Sequence, residues 1–340
     1  MASLCYHIKT ITPKVPNVIL ELINHQLRSL NIPIEPRSLY DPIRYAIQNG
    51  GKRLRPQLVL LGSLICGGNT KAAVPAALAV ELLHNFTLIH DDIMDSADTR
   101  RNQPSVFKKW DSNTAILSGD VLYAHSFEQL EYYGKDARYS KEQYLVIHQT
   151  FREAVVKVCQ GQALDMEFES RETVSLDDYL EMINAKTAAL LSCALKLGAL
   201  VALAPQNQVD SASSLGYHAG IAFQVQDDML DAVGDATKFG KKIGGDIRKG
   251  KKTWLTIAAL NKASTKQKNM LRSVLKKDNP SRSDIEGIIS LYYELHVIEG
   301  AQEAINAHYE KAQACLQQFE NSTHRNEINN LLDQLMVRES

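Results

Sequence analysis

The segment "LLHNFTLIHDDIMDSADTRR", residues 82–101, runs from an apolar helical pattern directly into acid. Asp91, Asp92 and Asp95 close the greasy stretch, and Arg100 and Arg101 follow at once. Asp91 and Asp95 are one helical turn apart, so on a helix their carboxylates share a face, about 5–6 Å apart at Cβ, and repel. At the C-terminal end of a helix they also oppose the macrodipole. Such an arrangement is unfavourable unless a cation sits between the carboxylates, although a single D-D-x-x-D on its own reads as a solvated acidic face.

The chain carries a second one. "FQVQDDMLDAVGD", residues 223–235, repeats the spacing with Asp227, Asp228 and Asp231, again behind an apolar segment, "LGYHAGIAF". Two such clusters, each closing a greasy helix, point to a shared task. Oxygen-only ligand sets suit Mg²⁺, which takes carboxylates and water in octahedral geometry and commonly bridges to a phosphate. Six carboxylates around several Mg²⁺ ions imply a substrate bearing a polyphosphate. Basic residues lie where such a group needs them: Arg100 and Arg101 after the first cluster, then Lys241, Lys242, Arg248, Lys249, Lys251 and Lys252 after the second.

The rest of the chain reads as helix. No proline lies between Pro104 and Pro205, or between Pro205 and Pro280, which leaves room for long elements. Ile147, Phe151, Ala154, Val155 and Val158 fall on one helical stripe, as do Ile288, Leu291, Tyr292 and Leu295. Alternating β-branched runs are nearly absent, and no G-x-G-x-x-G follows a strand-like segment. An all-α fold is expected, as a single domain over residues 1–340, since no linker, composition break or repeat divides the chain. The longest apolar run, residues 188–204, carries Lys196 at its centre and reads as a buried core helix, so no membrane span is expected.

With 38 basic and 39 acidic residues in 340, the chain has no global field to attract nucleic acid. Its five cysteines are odd in number and contain no C-x-x-C, which suggests neither a disulfide framework nor a zinc site; a reducing cytoplasm fits. "NGGKR" at 49 lacks the flanking residues of a P-loop, and His90-Asp91 lacks the further histidines that an HD-type phosphohydrolase would need.

Six motifs in order, "GGKRLRP" at 50, "ELLHNFTLIHDDIMDSADTRR" at 81, "GQALD" at 161, "KTAAL" at 186, "FQVQDDMLD" at 223 and "GKKIGGDIRKGKKT" at 240, give the chain its resemblance to the trans-type isoprenyl diphosphate synthases, the polyprenyl synthetases, over roughly residues 45–330. The resemblance implies an all-α isoprenoid synthase fold, a single bundle around a deep central cavity, usually as a homodimer. It implies condensation of an allylic diphosphate (dimethylallyl, geranyl or farnesyl) with isopentenyl diphosphate and release of pyrophosphate, which is itself the base for the last proton. Asp91, Asp92, Asp95, Asp227, Asp228 and Asp231 would then hold three Mg²⁺. Arg100, Lys186, Lys241 and Lys251 would hold the allylic diphosphate, and Gly51, Lys52, Arg55, His84 and Arg101 the homoallylic one. Thr187, Gln224 and the Lys186 carbonyl would face the allylic cation.

Phe86 lies five residues before Asp91, a little over one helical turn of about 5.4 Å, and is expected to act as a floor for the growing tail. An aromatic there goes with short products in the resembled family. Geranylgeranyl diphosphate (C20) is the expected product, with farnesyl diphosphate (C15) next. A terpene cyclase would carry an Asn/Ser/Glu second metal motif, and a noncatalytic subunit of a heteromeric synthase would have lost one or both clusters. Gln162 and Asp165 of "GQALD" read equally as a buried hydrogen-bonded pair or as a support for the metals.

Overall fold

The computed structural model describes residues 18–234 and 244–336. Lys241 and Lys242 lie outside these residues. The helices are α1 (Val18–Arg28), α2 (Arg37–Gln48), α3 (Leu54–Ile65), α4 (Thr70–Met94), α5 (Val106–Lys109), α6 (Ser112–Lys135), α7 (Lys141–Ser170), α8 (Leu176–Ile183), α9 (Ala189–Val201) and α10 (Gln206–Val233). Beyond them come α11 (Gly245–Arg248), α12 (Trp254–Lys262), α13 (Thr265–Leu275), α14 (Arg282–Glu294), α15 (Val297–Leu316) and α16 (Thr323–Met336). Among the described residues the only strands are β1 (Thr99–Arg100) and β2 (Gln103–Pro104), paired antiparallel as a hairpin with Arg100 opposite Gln103. The fold is all-α, as expected.

Local chemistry sets the helix starts. Asn69 accepts from the Ala72 amide to cap α4, and Asp111 does the same for α6 through Thr114. Ser140, Ser175, Ser264 and Ser281 each form a reciprocal capping box at the start of α7, α8, α13 and α14. Each such cap stabilises its helix by about 1 kcal/mol. Prolines do not mark every boundary, because α2 and α4 run on through Pro42 and Pro75, each the sixth residue of its helix, at the loss of one intrahelical hydrogen bond.

α4 packs between α3 and α6, α9 packs on α3 and α10, and α10 packs along α15. Two cores result. The larger takes α1–α4, α6, α7, α9, the first half of α10, the end of α15 and α16; the smaller takes α8, the second half of α10, α12–α14 and the first half of α15. α10 belongs to both, which brings its last turns, with the second aspartate cluster, to their junction. The stripe from Ile147 to Val158 is buried, and so are Ile288, Leu291 and Tyr292, while Leu295 is partly covered. Two helical stretches, Thr70–Met94 and Leu176–Val201, are long and apolar enough to cross a bilayer, yet both are largely packed inside the protein.

Between α8 and α9 the chain makes one π turn, Asn184–Ala188, in which the Ala189 amide reaches back to the Asn184 carbonyl. It packs on α7 at Gly161, where a Cβ would lie 2.2 Å from the Lys186 nitrogen. Only glycine fits there. The motif "KTAAL" thus begins on a bulge, a feature that concentrates at functional sites because it turns side chains off the regular helical face.

Candidate active site

α4 ends where the first aspartate cluster begins. Its last helical residue is Met94 and Asp95 is the C-cap, so the carboxylates sit at the negative end of the helix. Burial pushes the Asp91 carboxyl up; Lys186 pulls it down and Asp95 pushes it up again. Burial likewise raises Asp92, against the opposing hydrogen bond and charge of Arg100. Arg100 donates from Nε (2.9 Å) and from a terminal nitrogen (2.5 Å) to one oxygen of Asp92.

The second cluster divides by depth. Asp227 is exposed and Asp228 is buried. Both Asp228 oxygens accept hydrogen bonds, one from the Tyr179 hydroxyl (2.6 Å) and one from Gln224 (3.0 Å), and Gln224 in turn accepts from Thr187 (2.7 Å). Burial, then the neighbouring Asp246, push the Asp228 carboxyl up to about 7, against the two hydrogen bonds. Asp231 accepts from the backbone amide of Asp246 (2.8 Å). Burial and then Asp231 raise Asp246 to about 6.

Two lysines face these acids. Lys186, from the π turn, donates to Asp165 at 2.5 Å. Burial pulls the Lys251 ammonium down, but Asp165, Asp246, Asp95 and Asp228 together outweigh it and hold Lys251 above its ordinary value. Acids of both clusters therefore act on one ammonium. A cavity of about 130 Å³ joins Asp165, Lys186, Thr187, Gln224, Asp227, Asp228, Asp246 and Lys251.

A second cavity, about 460 Å³, gathers Gly51, Lys52, Arg55, His84 and Arg101, all five of the residues expected for the other diphosphate, with Phe223 and Leu335 at its apolar side. Arg55 donates to His84 Nε2 at 3.1 Å; since guanidinium has no acceptor, His84 Nε2 is the acceptor and the ring proton is on Nδ1. Burial first, then Arg55, Arg101, Arg100 and Arg53, hold His84 far below its ordinary value. His84 is thus a neutral ring that orients Arg55. Burial lowers Arg55 to about 10, which leaves it charged at neutral pH. Arg101 donates to the Gly50 carbonyl and lies against Gly51, where a Cβ would meet the guanidinium carbon at 2.6 Å. The φ of +119° requires glycine at position 51, and a side chain there would also displace the Arg101 guanidinium.

Beneath this cavity lies a pair absent from the sequence reading. Arg53, left-handed at φ +47°, is buried and bonds Glu81 at 2.5 Å; Glu81 also accepts from Asn85 at 3.2 Å. A buried ion pair of this kind fixes geometry more than it stabilises. It holds the turn carrying Gly51 and Lys52 to α4.

Phe86 sits on the α4 wall, edge-on to His90 at 4.7 Å between ring centroids and tilted against Tyr123 of α6 at 5.4 Å. The stack continues through Phe127 to Phe151 of α7. Gln162 and Asp165 do not pair with each other: Asp165 takes Lys186, while Gln162 donates to the Met94 sulfur at 3.6 Å and its buried carbonyl oxygen has no partner among the described residues. Residues missed in the sequence are Asp246, Tyr179, Arg53 and Glu81. Asp246 alone left a trace, as an acid inside a glycine- and lysine-rich segment.

The donor set is all oxygen, and burial raises the carboxyl groups of Asp91 and Asp92, so a cation beside them would favour their ionised forms. Among the described residues, no three His, Cys, Asp or Glu side chains are already gathered around one point. An oxygen-only donor set is of the kind that suits Mg²⁺, which binds through one or two carboxylates and completes its shell with water and substrate phosphate.

The polyprenyl synthetase family model matches residues 36–292. A short chain isoprenyl diphosphate synthase of Methanothermobacter thermautotrophicus is 37% identical over 323 residues, covering 94% of this chain and 96% of the relative. A geranylgeranyl diphosphate synthase of Saccharolobus solfataricus is 38% identical over 272 residues, 79% of this chain and 80% of that one. Among solved structures, geranylgeranyl pyrophosphate synthetase from Pyrococcus horikoshii superposes with a TM-score of 0.86 at 36% identity, covering 94% and 96% of the two chains. Neither the cyclase nor the noncatalytic-subunit alternative gains support from these relatives.

Proposed function

The chain belongs to the polyprenyl synthetase family and is a short-chain trans-prenyltransferase; on that premise we propose that it elongates allylic diphosphates with isopentenyl diphosphate to geranylgeranyl diphosphate, releasing pyrophosphate. The observation that carries the reading is the junction of two unlike sites: an acidic cleft in which Lys251 feels both aspartate clusters, beside a cationic cavity built on Arg55 and Arg101. One diphosphate needs metal to leave. The other must be held without it.

In this reading Asp91, Asp92, Asp95, Asp227, Asp228 and Asp231 would hold three Mg²⁺, with Asp92, Asp228 and Asp231 direct ligands or acting through water, and with Tyr179 and Gln224 orienting the Asp228 carboxylate. Bound Mg²⁺ supplies Lewis acidity to the departing pyrophosphate. Arg100, Lys186 and Lys251 share the negative charge of the allylic diphosphate, and Lys241, outside the described residues, joins them. The Thr187 and Gln224 oxygens face the allylic carbon that becomes cationic. Gly51, Lys52, Arg55, His84 and Arg101 hold isopentenyl diphosphate, with His84 keeping Arg55 in place. The tail runs down α4 to Phe86.

We take the chain as one domain, since α10 contributes to both cores. A homodimer is supported by apolar side chains at the surface of neighbouring helices: Ile116, Leu117 and Tyr123 on α6, and Leu145, Val146 and Val156 on α7. Exposed apolar side chains on a pair of helices are what an association surface would cover. The described cysteines Cys66, Cys159, Cys193 and Cys315 are all unpaired, in keeping with a reducing cytoplasm.

The test is an assay of purified protein with Mg²⁺, isopentenyl diphosphate and allylic primers of C5, C10 and C15, reading pyrophosphate release and product length by chromatography. Turnover to C20 is expected. No pyrophosphate release with any primer would overturn the reading.

A further inference from the structure

The two arginines that address two substrates lie on one small hairpin, and that hairpin is clamped from outside both sites. Arg101 (φ +52°) and Asn102 (φ +60°) are both left-handed, the geometry of a two-residue type I′ turn. An arginine is not a residue that this conformation favours, so the turn is held by its surroundings. At its base, the Ser105 amide donates to the Asp98 carbonyl at 3.0 Å. At its tip, Arg101 reaches the Gly50 carbonyl.

The third attachment is Tyr45. Its hydroxyl donates to the Pro104 carbonyl at 2.7 Å, at the end of β2. The ring stands edge-on to Trp110 (5.3 Å, 71°), and the Lys109 ammonium lies 3.8 Å over its centre and 4.9 Å from that of Trp110. Tyr45 occupies the last turn of α2, where its own carbonyl accepts from the Asn49 amide at 3.0 Å. Five residues further on begins the loop of Gly50, Gly51 and Lys52. Both ends of the hairpin are therefore tied to the single stretch 45–51, one through the Tyr45 hydroxyl and one through Arg101.

We infer that Tyr45 is a positioning residue for the reaction: it fixes the arginine hairpin against α2, so that Arg101 over Gly51 and Arg100 on Asp92 keep a set separation between the two diphosphates. The inference rests on the proposed roles of Arg100 and Arg101. Tyr45 touches neither substrate and acts only through the hairpin. Without its hydroxyl, β2 swings on the Asp98–Ser105 base, and both arginines lose alignment together.

The experiment compares Y45F, R101M and the double variant by steady-state kinetics with both substrates. Phenylalanine keeps the ring against Trp110 and under Lys109, so the fold and its melting temperature are retained. Y45F is expected to raise KM for both isopentenyl diphosphate and the allylic primer about 3- to 10-fold, the worth of one neutral hydrogen bond, with kcat within about twofold. In the R101M background it should add nothing further to the KM for isopentenyl diphosphate. A fall in kcat and melting temperature with KM unchanged, or full additivity in the double variant, would overturn the positioning role. If R101M itself leaves the KM for isopentenyl diphosphate unchanged, the assignment of Arg101 fails instead, and with it the ground of the inference.

Discussion

Arg100 gives two of its N–H groups to one oxygen of Asp92, at 2.9 and 2.5 Å, so the buried carboxylate and the arginine proposed to bind the allylic diphosphate are held as one unit. Asp92 is 4% exposed at its side chain and Arg100 is 35% exposed, so removing the arginine strands a buried charge. R100M should lower kcat/KM for the allylic substrate by about 10²-fold and destabilise the protein by roughly 1–2 kcal/mol after allowance for solvent on the arginine side. Calorimetry and kinetics on one preparation check both. A stability loss with intact kinetics would limit Arg100 to a structural role.

Asp91 should separate chemistry from stability. Its carboxyl is raised by burial and by Asp95, so ionised Asp91 is a cost to the metal-free fold. D91N is expected to melt at the same temperature or higher while losing at least about 10²–10³-fold in kcat, with no recovery at elevated Mg²⁺. Near-normal turnover in D91N would remove this residue from the metal set.

Metal-free protein should lose stability as pH rises. Asp228 (about 7) and Asp246 (about 6) both stand above the ordinary 3.8, so between pH 4 and 7 the native state binds more protons than the unfolded chain. The stabilisation by the neutral carboxyls is complete below pH 4 and lost as pH passes through 6 and 7, on the order of a few kcal/mol at most. The melting temperature in a chelator should fall between pH 5.5 and 8. D228N should flatten the slope, and saturating Mg²⁺, which favours ionised carboxylates, should oppose it. A melting temperature that climbs with pH would contradict the sign.

Phe86 should set product length. Its ring is propped by His90 and Tyr123, so F86A opens space above Tyr123 without collapsing the wall, and products of C25 and beyond are expected by chromatography. Because a second aromatic layer, Tyr123 with Phe127, lies behind it, F86A with Y123A should lengthen the product further. Unchanged C20 from F86A would place the floor elsewhere.

The aspartate clusters were legible in the sequence because helical spacing and position at the end of an apolar segment are local properties, and α4 and α10 preserve them. His84 was legible as a site member, but its neutrality was not, since that depends first on its burial and then on two arginine pairs, Arg53 with Arg55 and Arg100 with Arg101, arriving from two other segments. Arg53 and Arg55 look alike in "GGKRLRP"; which one turns inward is decided by the left-handed backbone at Arg53 and by Glu81 below it. Asp246 stood alone in a loop-like stretch, and only the fold brings its amide to Asp231. Tyr179 read as an ordinary core aromatic, and its hydroxyl found Asp228 only through the packing of α8 on α10.

The π turn at Asn184–Ala188 makes this wall a fixed count of residues. Deleting any one of the five would convert the i→i+5 turn into an ordinary i→i+4 turn and let α8 and α9 fuse into one regular helix, with their outer faces still in register but the bulge between them gone. Lys186 and Thr187, which the bulge turns off the regular helical face, would leave the cleft, and Gly161 would lose the close approach of the Lys186 backbone. Length variation among functional variants should therefore be absent from residues 184–188 and should collect in the connections that carry no catalytic side chain, such as the turn between α13 and α14.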